Sequence, residues 1–350
     1  MRTRTQRIST VLAGLLVPGL LLAACSSAGS SAPATTTTSG GTVSTSSIPA
    51  GTVLRIGEQL HNLSSILSLG GQDQGFGYTV QYSEFVGGPP LLQAFQGGAE
   101  DVGYVFSTPL IYAQSANQGL TAVTTWATEN SSYSLVSAPG DASTLKGWAS
   151  LKGKRVVYQV GTASEAVLLE GLQSVGLTLS DITTVNLPVT QTAAALQGGS
   201  ADAGITVEPL LSVYLQANPS AKVVASSNRL TDKSGFLIAS ASTLADKGKS
   251  AALADYLTRL IKAYKVLNAN PQLAIDGIYI KQYNLTPARA AAVAKAAGPT
   301  TFGQLPGKIV ADQQNLANLF FTAQVIPAKI DVSSEFDGRF NSLVTQVQGS

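Results

Sequence analysis

Covalent and metal chemistry have few places to reside in this sequence of 350 residues. It holds one Cys, Cys25, and one His, His61. A single Cys excludes a disulfide framework and a thiolate metal cluster, and it leaves no thiol nucleophile further along the chain. A lone His lacks the partner set that metal binding needs, so His61 reads as cleft lining or surface. There is no Gly-x-Ser-x-Gly nucleophile turn and no phosphate-binding Gly-rich loop. No catalytic residue, metal or cofactor is assigned. What is left is recognition by hydrogen bonds, dipoles and shape, which depends on how the elements place a few polar groups.

Those elements are announced by a phrase written twice. Phe95-Gln-Gly-Gly-Ala-Glu-Asp101-Val-Gly103 leads to Thr108-Pro109-Leu110, and Leu196-Gln-Gly-Gly-Ser-Ala-Asp202-Ala-Gly204 leads to Glu208-Pro209-Leu210. Each copy reads as a helix end, a Gly-Gly stop, an acidic turn, a short strand and a Pro-opened helix. A repeated αβα unit implies two similar lobes with a cleft between them.

The N-terminus stands apart. Arg2, Arg4 and Arg7 precede an apolar run from Val11 to Leu22, too short to span a bilayer and suited to a signal peptide. Leu22-Ala23-Ala24-Cys25 resembles a bacterial lipobox, in which the Cys becomes the lipidated N-terminus. Ser26 to Gly51 is mostly Ser, Thr, Ala, Gly and Pro, a flexible tether reaching about 25–30 Å. Without the three arginines, the 22 basic residues fall to 19 against 20 acidic ones, a net charge of −1. No basic run survives, so nucleic acid is not expected as a partner.

In the body, strands are predicted at Val53–Gly57, Tyr78–Phe85, Val102–Phe106, Tyr133–Ser137, Arg155–Val160, Thr184–Leu187 and Gly235–Ser240, with helices at Leu91–Gln96, after Gly161 and at Thr190–Leu196. Thr162 and Glu165 stand in capping-box register. The last third reads as helical, with one apolar stripe from Leu253 to Tyr264. The expected domains are a signal peptide over 1–24, lipidated Cys25 and tether over 25–51, lobe I over 52–135 plus 236–350, and lobe II over 136–235. Two crossings between lobes make a hinge.

Several stretches carry a resemblance: Glu84-Phe85 with Gly88-Pro89-Pro90-Leu91-Leu92-Gln93-Ala94, Gly103-Tyr104-Val105 with Thr108-Pro109 and Ala113-Gln114, Leu151 to Val156, Gly161 to Ser164, Pro209, Gln313-Gln314, Ile326-Pro327 and Ile330-Asp331-Val332. In their order and spacing these resemble the extracellular solute-binding proteins for aliphatic sulfonates, taurine and nitrate that serve ATP-binding-cassette (ABC) importers. The resemblance implies an α/β type-II periplasmic-binding-protein fold, two αβα lobes joined by a two-strand hinge. It also implies a small solute held at helix N-termini, permease transmembrane subunits as partners, an extracytoplasmic location anchored through Cys25, and a monomer. Helix N-termini suit anions because their first N–H groups lack partners. Gln59 to Asn62, Ser107-Thr108 and Gly161 to Ser164 fit that role, with Thr162 and Thr108 open to a capping role as well. Gln59 ends the first strand, where open sheets bind ligands.

Four positions depart from the resemblance. Glu58 stands where sulfonate binders often have an aromatic residue, Ser107 and Phe106 replace the Asp and Gly of Gly-Asp-Thr-Pro, and Glu165 follows Ser164 in place of His. If Glu58, Glu165 and Glu208 faced the cleft, a taurine-like ligand with a cationic end would fit better than an alkanesulfonate. Glu165 in a capping box and Glu208 at a helix start is the competing reading. Trp126 and Phe106 suit an apolar wall. The expected ligand-binding set is Gln59, His61, Ser107, Thr108, Trp126, Thr162, Ser164, Glu165 and Glu208. A desulfinase-like or pyrimidine-precursor-synthase-like enzyme of the same fold, or a solute sensor for a membrane receptor, are the alternative functions.

Overall fold

Arg55 and Arg155 start the same arrangement twice. Arg55 donates from its backbone N–H, Nε and Nη2 to the Asp101 carboxylate and from Nη1 to the Gly98 carbonyl. Arg155 makes the same four contacts with Asp202 and Gly199. Each arginine ties the head of one strand to the Gly-Gly stop and acidic turn that lead into the next. Asp101 also accepts from Lys249 Nζ at 2.7 Å. Burial pushes its carboxyl up, but the hydrogen bonds from Arg55 and Lys249 outweigh burial and hold it below the usual range.

The computed structural model describes residues 48–226 and 234–350. It contains two sheets. The first is built from β1 (Val53–Gln59), β2 (Thr79–Phe85), β3 (Val102–Phe106), β4 (Leu120–Ala127), β10 (Ser234–Ser240) and β11 (Thr301–Gly303), in the order β11-β4-β10-β3-β1-β2. The second holds β5 (Tyr133–Ser137), β6 (Arg155–Tyr158), β7 (Thr183–Asn186), β8 (Ala203–Val207) and β9 (Val223–Ser226), in the order β7-β6-β8-β5-β9. The plans coincide. β1 lies parallel between β2 and β3 as β6 lies parallel between β7 and β8. One antiparallel strand follows in each, β10 beside β3 and β5 beside β8. The chain passes to the second sheet between Ala127 and Tyr133 and returns between Ser226 and Ser234.

Helices follow the parallel strands in both halves. α1 (Asn62–Leu69), α2 (Gly88–Gln96) and α3 (Ser107–Ser115) follow β1, β2 and β3; α4 (Ala163–Gln173), α5 (Thr192–Gln197) and α6 (Leu210–Ala217) follow β6, β7 and β8. Prolines 89 and 90 sit in the first turn of α2, where a missing N–H costs nothing. The chain then adds α7 (Ala241–Ala245), α8 (Lys247–Ala269), a π-helical segment (Ile275–Ile280), α9 (Pro287–Ala297), α10 (Ile309–Thr322) and α11 (Asn341–Gly349). No helix among the described residues is long and apolar enough to cross a membrane.

Each sheet is covered on both faces. The first packs Leu54, Ile56, Tyr256 and Phe340 on one side and Leu91, Phe95 and Leu110 on the other. The second packs Val156, Leu168 and Ile205 on one side and Val157, Leu196 and Tyr214 on the other. A separate cluster of Ile111, Ala166, Leu169 and Phe320 joins α3, α4 and α10.

The Thr162–Glu165 capping box does not form. Thr162 is the N-cap of α4, but its hydroxyl donates to the Gln159 carbonyl, and Glu165 accepts from Gly161 N–H at 2.9 Å and from Tyr112 Oη–H at 2.9 Å. Both side chains are engaged by neighbours that the local spacing does not reveal. The signal peptide, Cys25 and most of the tether fall outside the described residues.

Candidate functional site

A cavity of about 680 Å³ lies between the C-terminal ends of β1, β3, β6 and β8 and is roofed by α8, the π-helical segment and α9. Gln59, at the end of β1, donates from Nε2 to the Tyr104 carbonyl at 2.8 Å, which fixes its amide at the rim. His61 follows in left-handed conformation (φ 51°), its backbone N–H bonded to Glu84 and its ring 3.4 Å from the same carboxylate. The ring is mostly exposed, so His61 is at once cleft lining and surface.

On the opposite side, Thr162 and Glu208 line the cavity. The Glu208 carboxylate accepts from the backbone N–H and hydroxyl of Ser212, in the first turn of α6, at 3.2 and 3.1 Å. Burial pushes its carboxyl up, and the Ser212 hydrogen bonds and the Arg289 charge act against that shift. Among the described lining residues, Glu208 is the only acid and Lys295 the only Lys or Arg.

Aromatic rings line part of the wall between these groups. Tyr104 and Trp126 stack with centroids 4.9 Å apart, and Phe106 stands edge-on to Trp126 and to Tyr133 at 5.3 Å. Tyr264 from α8 and Tyr279 from the π-helical segment complete it.

Five expected residues therefore line the cavity: Gln59, His61, Trp126, Thr162 and Glu208. Ser107, Thr108, Ser164 and Glu165 do not line it. Ser107 and Thr108 are buried at the start of α3, and the Ser107 carbonyl accepts from Gln313 Nε2 at 3.0 Å. The Ser164 hydroxyl accepts from Gln159 N–H at 3.0 Å and bonds Thr162 at 2.7 Å, tightening the turn from β6 to α4. Glu165 sits behind that turn because α4 is buried along its length against α3 and α10. Glu58 also turns away, accepting from the backbone N–H and hydroxyl of Ser64 at 2.8 and 2.7 Å. Of these three carboxylates, only Glu208 lines the cavity.

Residues not anticipated are Gln159 and the tyrosines. Gln159 spans the joint: its Nε2 donates to the Val86 carbonyl at 3.2 Å and its Oε1 accepts from Val189 N–H at 3.0 Å. Tyr133 and Tyr264 belong to apolar patterns that read as core, so their hydroxyl-bearing faces gave no separate signal.

The first turns of α2, α3 and α4 converge beside this joint. A Cβ at Gly88 would stand 2.3 Å from Pro109 Cγ and 3.3 Å from the Gly161 carbonyl. Glu58, His61 and Glu84 bring one possible ligand atom each within 4.8 Å of one another. That spacing is wide for one ion with bonds of about 2.0–2.2 Å, and Glu58 is already engaged by Ser64.

The profile of the NMT1/THI5-like family matches residues 79–274. An aliphatic sulfonates-binding protein of Escherichia coli (strain K12) is 28% identical over 297 residues, 83% of this chain and 91% of that protein. The alkanesulfonate-binding protein of Xanthomonas axonopodis pv. citri, solved with bound MOPS, superposes with a TM-score of 0.74 at 26% identity, over 83% of this chain and 99% of that one. The periplasmic aliphatic sulphonate binding protein of Escherichia coli gives 0.69 at 26% identity, over 82% and 92%. The nitrate-binding protein of Synechocystis PCC 6803 shares the fold at 0.67 with 11% identity.

Proposed function

This chain belongs to the NMT1/THI5-like family, and on that footing we propose that it is the substrate-binding protein of an ABC importer, capturing a small organic sulfonate in its interlobe cleft. The observation that carries the reading is the likeness to sulfonate-binding relatives over 83% of the chain, with a cavity where two similar sheets meet. Those relatives are named for binding sulfonates, and this cleft likewise offers hydrogen-bonding and aromatic groups suited to capture. Lobe I spans 52–135 plus 236–350 and lobe II 136–235, a division supported by sheet membership, with the crossings a few residues earlier. Cys25 carries the lipid, the tether holds the body off the outer face of the membrane, and the monomer delivers solute to the permease subunits. The lipobox spacing supports the anchor.

A thermal-shift series with the full chain tests the capture. An alkanesulfonate at 100 times its dissociation constant adds about 2.7 kcal/mol, seen as a clear rise in Tm. Unchanged melting with every sulfonate, beside a rise with another solute class, would contradict the assignment.

A further inference from the structure

The proposed lobe II reaches the roof of the cavity through Gln216. This residue, in the last turn of α6, donates from Nε2 to the Asn284 carbonyl at 3.1 Å and accepts through Oε1 from the Thr286 N–H at 2.9 Å. Thr286 is the N-cap of α9. Val213, one turn earlier on α6, packs with Leu285, Ala290 and Val293 of the roof. Gln216 itself does not line the cavity.

The roof is otherwise held by the half built on the first sheet. Gln282 donates to the Leu60 carbonyl at 3.2 Å, and Asn268 of α8 exchanges two hydrogen bonds with Thr300, at 2.7 and 3.0 Å. The far end of α9 is tied to the crossing between the sheets. Asn130 Nδ2 donates to the Ala296 carbonyl at 2.7 Å, and the Glu129 N–H to the Ala297 carbonyl at 3.0 Å. With 11 residues in α9, Gln216 grips the roof about 16 Å from that crossing.

The two halves also meet on another side, by a contact of a different kind. Ile111 of α3, Ala166 and Leu169 of α4 and Phe320 of α10 are buried together, and Tyr112 of α3 donates to Glu165 of α4 at 2.9 Å. Parting these helices exposes apolar surface and strands a buried carboxylate. The Gln216 bonds lie at the surface, where water replaces them at little cost.

We propose that the lobes turn about the crossing strands and the α3–α4–α10 contact, and that Gln216 is the latch of the cleft, closing lobe II onto the roof and setting how fast a captured solute leaves. This deepens the capture reading and rests on it. Gln216 is a positioning residue, acting on a solute it does not touch. Bonds made only after the lobes meet slow release and leave encounter unchanged.

Stopped-flow binding and release of ethanesulfonate by the full chain, followed by tryptophan emission, tests it. In Gln216→Ala the release rate is expected to rise about tenfold, the loss of two modest hydrogen bonds, with the association rate within about twofold. Destabilisation alone lowers the fraction of competent protein and leaves the release rate of the remainder unchanged, so the rate separates a latch from a merely structural contact. Tyr112→Phe loses a hydrogen bond between the lobes on the other side. Gln197→Ala loses one within lobe II, from Nε2 to Asn218 Oδ1 at 3.2 Å. Both are expected to release ethanesulfonate at the parent rate. An unchanged release rate in Gln216→Ala, or an equal rise in Tyr112→Phe, overturns the proposal and leaves the sulfonate reading standing. No binding of ethanesulfonate by the parent chain overturns both.

Discussion

Glu335 is 1% exposed, with one oxygen accepting from Gln313 Nε2 at 3.0 Å and the other lacking a hydrogen-bond partner. Burial pushes its carboxyl up to about 8, with the Gln313 hydrogen bond acting the other way. The folded chain thus keeps a proton that the unfolded chain releases in the ordinary carboxylate range. Stability from this group is whole below that range and is lost as pH rises toward about 8. Glu335→Gln preserves the shape and removes the titration. Its stability relative to the parent is expected to improve from about pH 5 to about pH 9, by ~2–4 kcal/mol in denaturant melts; parallel profiles would contradict the assignment. Such groups were invisible in the sequence, where Glu335 is one acid in a polar stretch. The same limit explains Glu165, whose spacing from Thr162 suggests a cap while the fold spends its carboxylate on Gly161 and Tyr112.

At the scale of elements, α2 and α4 meet where Gly161 enters α4. Gly161 has φ +77°, and a Cβ there would stand 2.8 Å from Pro89 Cγ. Gly161→Ala adds about 1–2 kcal/mol of left-handed backbone strain and also pushes α2 away from α4. It is expected to weaken sulfonate binding about tenfold, since misplacing cleft walls costs affinity as well as stability. Gly51→Ala, at φ +81° with open space around it, brings strain without a clash and serves as the control. Its melting point should fall with affinity unchanged; equal affinity loss in both variants would contradict the role of the contact. The repeat was legible because Gly-Gly stops, acidic turns and Pro-opened helices are local signals. β4 and β11 were not, because their support is distant. Thr124 and Thr125 of β4 donate to the carbonyls of Gly303 and Gly235, and three residues suffice for β11 only because β4 lies beside it.

For the whole molecule, two lobes of one plan enclose a cleft. The two-lobed plan followed from the repeat, and Trp126 and Phe106 line the cavity as an apolar wall as expected, whereas the tyrosines of that wall were not foreseen. Tyr264 lies in the apolar stripe of α8, and which part of a stripe meets an opening depends on how the lobes approach. The proposed anchor predicts that Cys25→Ser moves the protein from the membrane fraction to the soluble extracytoplasmic fraction with sulfonate binding intact. Continued membrane retention would contradict the anchor. Capture of a sulfonate in the cleft itself is tested most directly by fluorescence, because the chain has two tryptophans and only Trp126 lines the cavity, while Trp148 packs against Gly171. Titrating alkanesulfonates into Trp148→Phe and Trp126→Phe is expected to give a saturable emission change in the first and none in the second. A saturable change that survives in Trp126→Phe, or none in either variant, would contradict the account.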